Sequence, residues 1–377
     1  MKRRVVYVSG TRADFGLLEQ TLCRAAIDPR LDVQVCVTGM HLLEQFGTTV
    51  REVEASGLPI LACVPVALGE GNGSTMARAL GQMLIGITDV FANARPDIVL
   101  VLGDRGEMLA GALAAVHLNI PVAHLHGGER SGTIDEPVRH AISKLAHYHF
   151  VATSGARDRL IRMGELAENI LITGAPGLDG LDQLVTYSRA DLCGAYMLDP
   201  LRPVALILFH PVVQEAETAG TQTAELLAAV RAEGMQALCM MPNADAGSDR
   251  IRTILQEASV DSNIRLVTHL PRSTFVSWLA AADLLVGNSS SGIIEAASFG
   301  LPVVNIGSRQ FARERSGNVI DCRPEMGAIR VAIRQAAALR GMQFQNVYGD
   351  GLAGQSIVEL LATLPLNAEL LNKMNAY

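Results

Sequence analysis

Short runs of β-branched residues alternate with longer segments of helical periodicity, and this alternation restricts the possible fold more than any other feature of the chain. In the first half, strands are predicted over residues 5–9, 33–38, 98–102 and 122–125, and amphipathic stretches such as 17–26 and 76–94 lie between them. In the second half, strands are predicted over 204–209, 236–240, 264–267, 284–286 and 303–306. Such apolar strands need helices on both faces of a parallel sheet. The sequence therefore predicts an α/β fold.

The chain of 377 residues is long enough for two domains of ordinary size. The strand pattern pauses near 149–151 and 170–172, passes through a turn-rich segment at 174–177 and resumes at Pro203. We expect two Rossmann-like domains, 1–176 and 177–353, with the segment 354–377 as a candidate to pack back on the first. Polar clusters follow strands in both halves. Because ligands bind beyond the carboxyl ends of strands in open sheets, we expect a cleft between the domains.

Charge and cysteine content exclude several classes of protein. The 31 Lys and Arg against 38 Asp and Glu give a net charge of −7, which argues against nucleic acid or anionic membrane as a partner. The six cysteines form no CxxC pair, so they predict reduced thiols rather than a disulfide framework or a zinc knuckle. The first apolar run, 5–8, is too short for a signal peptide or a membrane span. We expect a cytoplasmic protein.

The clearest signal for an anion site is Gly287-Asn288-Ser289-Ser290-Ser291-Gly292, directly before a helical stretch at 293–299. Small residues let backbone N–H groups approach a phosphate, and the helix N-terminus adds a favourable dipole. The simpler interpretation, a serine N-cap, explains one serine but not three. Glu295 lies one helical turn further on, where it could bind ribose hydroxyls, although taken alone it is a solvated helix residue. Candidate cations for the anion are Arg12 and the run Arg309, Arg313 and Arg315.

Candidate acid–base residues follow two strands of the first half. Asp104 and Arg105 come after the strand at 98–102, and His126 and Glu129 come after the strand at 122–125, with Asp135 in the same loop. Carboxylates beside His and Arg are suited to proton transfer at a sugar carbon. Asp104 alone is equally consistent with a loop or capping residue. His210, after the strand at 204–209, is expected to face the cleft from the second domain.

Four other patterns have a weaker link to function. His124-Leu125-His126 with Glu129 resembles metal-ligand spacing, but further ligands are not evident, so no metal is predicted. His140, His147 and His149 lie on or near a helical stretch at 138–149, and at least two of them are expected to be structural. Residues 9–16 lack GxGxxG spacing, which disfavours a dinucleotide-binding oxidoreductase. The glycine-rich segment 69–73 is a candidate lid.

Several strings resemble the hydrolysing UDP-N-acetylglucosamine 2-epimerases over nearly the whole chain. They lie at 9–16, 103–105, 124–135, 139–147, 242–249, 287–292 and 307–310. The resemblance implies a two-domain glycosyltransferase-B fold, no metal or cofactor, and release of UDP and N-acetylmannosamine in sialic acid-type synthesis. Some relatives use UDP-2,4-diacetamido-2,4,6-trideoxyglucose or a GDP-linked sugar, and glycosyltransferases share the fold. It also implies a homodimer or homotetramer.

The resemblance also implies roles for individual residues. UDP would be held by Arg12, His210, Asn243, the backbone near Leu270, Ser289, Ser290, Glu295 and Arg309. Arg105 would face the diphosphate or the sugar, and Asp104, Glu129 and Asp135 would line the reacting carbon. Several relatives carry Glu where this chain has His126, and that position is proposed to act in proton transfer in those relatives. The assignment of single acid and base roles among these residues and His210 therefore stays open.

Overall fold

The computed structural model, which describes residues 2–67, 73–130, 135–242 and 245–377, contains two parallel β-sheets. The strands of the first sheet are β1 (Arg3–Ser9), β2 (Leu31–Thr38), β3 (Ile60–Val64), β4 (Ile98–Leu102), β5 (Val122–Leu125), β6 (Tyr148–Val151) and β7 (Ile170–Ile172). The strands of the second are β8 (Val204–Leu208), β9 (Gln236–Met240), β10 (Ile264–Val267), β11 (Leu284–Gly287), β12 (Val303–Ile306) and β13 (Val319–Cys322). They lie in the orders β3-β2-β1-β4-β5-β6-β7 and β10-β9-β8-β11-β12-β13.

Helices connect these strands. In the first half they are α1 (Arg12–Ile27), α2 (Val50–Ala55), α3 (Gly73–Ala94), α4 (Gly106–His117), α5 (Asp135–Leu145) and α6 (Ser154–Arg162). In the second half and at the C-terminus they are α7 (Arg189–Ala195), α8 (Ala219–Ala232), α9 (Ser248–Ala258), α10 (Arg272–Ala281), α11 (Ser290–Ile294), α12 (Met326–Ala337), α13 (Ala353–Thr363) and α14 (Ala368–Leu371). None of the helices in the described part of the chain combines the length and hydropathy that crossing a lipid bilayer requires.

In each sheet, the strands that follow in the chain are added on both sides of the first strand, β1 or β8. β1 pairs with β2 on one side and with β4 on the other, and β8 pairs likewise with β9 and β11, all in parallel. Every residue of β4 and β8 is buried, as strands covered by helices on both faces should be. A crevice forms where the chain leaves adjacent strands in opposite directions, so both sheets supply a binding crevice at their carboxyl edges.

The predicted two-sheet α/β architecture is confirmed, and all nine predicted strands are present with ends shifted by at most a few residues. The segments 149–151 and 170–172, where the pattern pauses, lie in β6 and β7 and extend the first sheet. The helical stretch predicted at 138–149 is wrong at its end, because α5 stops at Leu145 and His149 is a fully buried residue of β6. An apolar core position in a strand outweighs the local helical pattern there.

The C-terminal segment returns to the first half of the chain. α13 packs against α1, and its Ile357 and Leu361 are buried in the core of the first sheet. Further on, the Lys373 ammonium donates to the carbonyls of Ser143 and Lys144 at the end of α5. The division at 176/177 lies between β7 and β8, and the exact domain limits stay a prediction.

Candidate active site

A cleft with a cavity volume of about 280 Å³ lies between the carboxyl edges of the two sheets. Ten predicted site residues line it: Arg12, Asp104, Arg105, His126, His210, Leu270, Ser289, Ser290, Glu295 and Arg309. Glu129 and Asp135 are not among its lining residues. Asn243 lies outside the described residues, as do positions 69–72 of the candidate lid. The structure thus brings together residues that are up to about 300 positions apart in the sequence.

The turn from β11 into α11 forms one wall of the cleft. Ser289 is the N-cap of α11, and its hydroxyl accepts a hydrogen bond from the Ser291 N–H. Ser290 and Ser291 also line the cleft. A Cβ at Gly287, whose φ is +149°, would lie 2.0 Å from the Leu208 carbonyl oxygen. Glycine is therefore required for the turn to pass close to β8 and to present the serines to the cavity.

Asn288 fixes two other groups at the same edge. Its side-chain oxygen accepts from the His210 N–H and its amide donates to the His210 carbonyl, both at 2.8 Å. Its own carbonyl accepts from Arg309 Nη1 and Gln310 Nε2, each at 3.1 Å. One buried asparagine therefore holds the loops after β8 and β12 in register with the start of α11.

Positive charge dominates this wall. Burial is the main reason why the pKa of His210 lies well below its usual value. The nearby guanidiniums of Arg309, Arg105 and Arg12 lower it further. His210 is therefore a neutral imidazole at physiological pH. Three arginines, neutral hydroxyls and a helix N-terminus face one cavity, an arrangement that is suited to bind an anion.

Glu295 is buried at 1% exposure, so the interpretation of this residue as a solvated helix position is wrong. Its carboxylate pairs with Arg272, which also donates to the Gly177 carbonyl at 3.0 Å. Within the described part of the chain, neither carboxylate oxygen accepts a hydrogen bond of the standard geometry. A buried carboxylate with this unused capacity, at the edge of a cleft, can accept hydrogen bonds from ligand hydroxyls.

The opposite wall holds Asp104, which follows β4. Asp104 pairs with the Nη2 group of Arg139, a side chain with no exposed surface, and lies 3.9 Å from Arg313 Nη2. Arg139 Nη1 donates to the Glu129 carbonyl at 3.1 Å. Arg139 therefore connects the loops after β4 and β5.

His126 and Glu129 form a buried pair in the loop after β5. His126 Nδ1 lies 2.6 Å from Glu129 Oε1, and Glu129 Oε2 pairs with Arg313 from the second half. Burial acts to raise the pKa of Glu129, but Arg313 and His126 outweigh it and lower the pKa below its usual value. Glu129 is therefore a carboxylate at neutral pH.

Polar contacts also fix the remaining predicted residues. Arg12 reaches across the cleft to His269 and to the Leu270 carbonyl, the latter at 3.2 Å. Arg105 Nε lies 3.3 Å from Glu107 Oε2. Asp135 begins α5, and its Oδ2 lies 3.9 Å from Arg309 Nη2.

His124, from the pattern that resembles metal-ligand spacing, and the two histidines at 147 and 149 have structural partners. His124 Nε2 lies 2.7 Å from the Gly103 carbonyl and its Nδ1 lies 3.1 Å from Ser143 Oγ. Burial lowers the pKa of His124 to about 3. His147 Nδ1 accepts from the Val122 N–H, and His149 bonds to the buried Glu165. In the ranges that the structure covers, no group of three or more His, Cys, Asp or Glu side chains is arranged to hold a metal ion.

Three charged residues of the site carry no local sequence signal. Arg139, Arg272 and Glu107 contact Asp104, Glu295 and Arg105, and were not predicted as site residues. Each is a charged residue of a helix, α5, α10 or α4, and its position in that helix does not mark it as part of a site. Arg313, by contrast, was part of the basic run considered for the anion, and it lines the cleft.

Two doubly wound sheets facing a shared cleft define a protein of the glycosyltransferase-B type, with two Rossmann-like domains. A crystal structure of UDP-GlcNAc 2-epimerase from Neisseria meningitidis bound to UDP-GlcNAc has the same fold, with a TM-score of 0.80 and 21% identity over 95% of this chain and 99% of that one. The family model for UDP-N-acetylglucosamine 2-epimerase matches residues 24–362. The chain belongs to this family of enzymes.

The chain is also similar in sequence to characterised epimerases over most or all of its length. It is 50% identical over 377 residues, the full length of both proteins, to a UDP-N,N'-diacetylbacillosamine 2-epimerase (hydrolyzing) of Legionella pneumophila. It is 33% identical to a UDP-N-acetylglucosamine 2-epimerase of Neisseria meningitidis, over 93% of this chain and 91% of that one.

Proposed function

We propose that the protein is a hydrolysing 2-epimerase of a UDP-linked 2-acetamido sugar, which releases UDP and a free sugar of manno configuration. The observation that carries the proposal is the pair of facing walls. One wall combines arginines, serines and the start of α11, and the other presents Asp104 and His126 to the same cavity. A diphosphate bound at the first wall would direct C1 and C2 of the sugar towards the second.

The proposed UDP site is built from both halves of the chain. Arg12, Arg309, Ser289 and Ser290 would bind the diphosphate, and Glu295 would accept hydrogen bonds from the ribose hydroxyls. The remaining residues proposed for the nucleotide are His210, Asn243 and the Leu270 backbone. Arg105 would reach the diphosphate or the sugar.

We propose UDP-N,N'-diacetylbacillosamine as the preferred substrate. The full-length identity of 50% to a relative of that activity supports it over UDP-N-acetylglucosamine, the substrate named for a relative at 33%. Apolar side chains of Met40, Phe46 and Leu102 line the cleft from the first half. They suit the C6 methyl group of a trideoxy sugar better than a hydroxymethyl group, whose hydroxyl would lose hydrogen bonds to water. UDP-N-acetylglucosamine, with N-acetylmannosamine as product in sialic acid-type synthesis, is the second candidate.

The proposed reaction is an elimination followed by hydration. A base removes the C2 proton, a C1–C2 double bond forms, and UDP leaves with the electron pair of the C1–O bond. The arginines and the α11 terminus stabilise the departing charge. Water then adds at C1, and C2 receives a proton on the opposite face, so two differently placed acid–base groups are needed. Asp104, His126, Glu129, Asp135 and His210 are the groups available.

Parallel assays test the proposal. Purified protein is given UDP-N,N'-diacetylbacillosamine, UDP-N-acetylglucosamine or the GDP-linked diacetamido sugar in deuterated water without an acceptor. We expect fastest UDP release from the first, with one deuterium at C2 of a manno product. A glycosyltransferase of the same fold would release no C2-inverted sugar without an acceptor, and that result would refute the proposal.

The assembly, location and cofactor requirement are proposed from the family resemblance. We expect a cytoplasmic homodimer or homotetramer whose turnover is unchanged by EDTA. Light scattering of the eluting protein measures the oligomeric state, and a monomer would contradict this proposal.

A further inference from the structure

His126 is the member of the His126–Glu129 pair whose side chain lines the cleft. Glu129 lies behind it at 4% exposure, and both of its carboxylate oxygens are engaged. One accepts from His126 Nδ1, and the other is paired with Arg313. For Glu129 to act directly on a substrate it would have to break a buried ion pair, whereas His126 already faces the cavity.

We propose that His126 is the catalytic acid–base group at C2 of the sugar and that Glu129 is a positioning residue that acts through it. This inference rests on the proposed function and assigns roles within its site. Because Glu129 accepts from Nδ1, the neutral ring carries its proton on Nδ1, and Nε2 holds the lone pair. A buried carboxylate that orients an imidazole and stabilises its protonated form is a recurring arrangement in acid–base catalysis.

The backbone of the loop supports a functional role for His126. His126 has a φ of +58°, a left-handed conformation that is costly for a residue with a side chain. The two glycines that follow His126 are packed so closely against their neighbours that neither position has space for a side chain. A Cβ at Gly127 would lie 2.9 Å from Ser143 Oγ, and a Cβ at Gly128 would lie 2.5 Å from the Ala156 carbonyl. The tightly packed loop therefore holds the imidazole at the cleft in a conformation that the chain does not favour by itself.

The proposed step balances as follows. Nε2 accepts the proton from C2, the electron pair of the C–H bond forms the C1–C2 double bond, and UDP leaves with the C1–O electron pair. The resulting imidazolium is stabilised by the Glu129 carboxylate and later returns its proton to solvent. Charged and titratable groups near the pair include Arg313 from the loop after β12, Arg139 from α5, Arg159 from α6, Tyr348 and Asp104 after β4.

Two substitutions separate the roles. In His126→Asn the amide can still donate to Glu129 and asparagine tolerates a left-handed backbone, but no base remains at the position of Nε2. We expect kcat to fall by about 100-fold or more with KM changed by less than about threefold. Glu129→Gln keeps an oxygen acceptor for Nδ1 but loses the charge. We expect kcat to fall by about tenfold, with the acid limb of the pH–rate profile moved to lower pH.

The control is His117→Asn on the exposed end of α4, which should behave as wild type. The proposal is overturned if His126→Asn keeps more than about a tenth of the wild-type kcat. It is also overturned if Glu129→Gln is impaired as severely as His126→Asn with an unmoved acid limb, because Glu129 would then act on the substrate itself.

A measurement without substrate keeps this inference separate from the proposed function. In protein labelled with ¹⁵N-histidine, the His126 signals are assigned by their loss in His126→Asn. We expect the proton on Nδ1 in the wild type, and an Nε2–H tautomer would refute the pairing. If the wild type turned over none of the UDP-sugars, the proposed function would be refuted. The observed tautomer of His126 would still show whether Glu129 orients the ring.

Discussion

Replacing Arg139 with Met tests how strongly the loops after β4 and β5 depend on one buried arginine. The Arg139 side chain has no exposed surface, and its guanidinium binds the Asp104 carboxylate and the Glu129 carbonyl. Methionine has a similar length but donates no hydrogen bond. The substitution therefore removes the arginine that pairs with Asp104, leaving the more distant Arg313 Nη2 at 3.9 Å, and takes a donor from the buried Glu129 carbonyl.

The size of the effect follows from the burial of the pair. Breaking a buried ion pair by removing one partner costs about 3–5 kcal/mol. Because the Asp104 side chain is 22% exposed, water compensates part of its lost interaction, and we expect the lower value, about 3 kcal/mol. A typical domain is stable by about 5–15 kcal/mol, so the variant should still fold. Adding Asp104→Asn to Arg139→Met removes the uncompensated charge and should restore about 1–2 kcal/mol.

Urea denaturation followed by far-UV circular dichroism measures these differences. The exposed Arg162→Met on α6 is the matched control and should change the free energy of unfolding by less than about 0.5 kcal/mol. Arg139→Met should also lose turnover, because Asp104 and the Glu129 backbone are no longer held together. If Arg139→Met unfolds within about 1 kcal/mol of wild type and keeps its kcat, the reasoning about this pair is refuted.

Three further variants probe the site and the core. Asp104→Asn should bind UDP normally by calorimetry yet turn over about 100-fold more slowly, and near-normal turnover would refute its catalytic role. Glu295→Gln should weaken UDP binding by about tenfold, since a charged acceptor for ribose is lost; unchanged affinity would remove Glu295 from the nucleotide site. Burial acts to raise the pKa of Glu165, but hydrogen bonds from His149 and two lysines, one of them Lys373, lower it to about 2. The resulting stabilisation is present above pH 4.5 and is lost as the pH falls towards 2, so Glu165→Gln should cost about 3 kcal/mol at pH 7 and little near pH 2 in urea titrations. If Glu165→Gln destabilised the protein equally at pH 7 and near pH 2, this prediction would be contradicted.

The sequence could predict the strands and the edge at which the site lies, because both depend on local patterns. β4 and β8 are continuous apolar runs, and each is followed directly by polar residues, which identifies the carboxyl edge. Asp104 and His210 were therefore predicted to lie at that edge from their positions alone, and both line the cleft. β3 and β13 were not predicted, because most of their residues are only partly buried, and the run of β13, Val319–Cys322, is also interrupted by Asp321.

Burial of charged groups could not be predicted, because it depends on partners that are distant in the sequence. Glu295 reads as a surface residue in its own helix, and only the fold brings Arg272 against it. Arg139 and Asp104 are 35 positions apart, and Arg313 and Glu129 are 184 positions apart. The hydrophobic periodicity of a single helix or strand carries no information about such contacts. The order of proton-transfer roles was open for the same reason, since the orientation of Glu129 towards His126 is a property of the folded loop.

Ion pairs across the cleft connect the two halves of the proposed mechanism. Arg313 pairs with Glu129, and Arg309 Nη2 lies 3.9 Å from Asp135 Oδ2, so arginines of the second half neutralise acids of the first. The same Arg309 belongs to the wall proposed for the diphosphate. A bound diphosphate would compete with Asp135 for Arg309. The Asp135–Arg309 contact, at 3.9 Å, is weaker than a direct contact between Arg309 and a phosphate oxygen would be. Arg313 has the closer partner and would stay with Glu129. Nucleotide binding would thus weaken the contact between Arg309 and Asp135 while leaving the His126–Glu129 pair anchored.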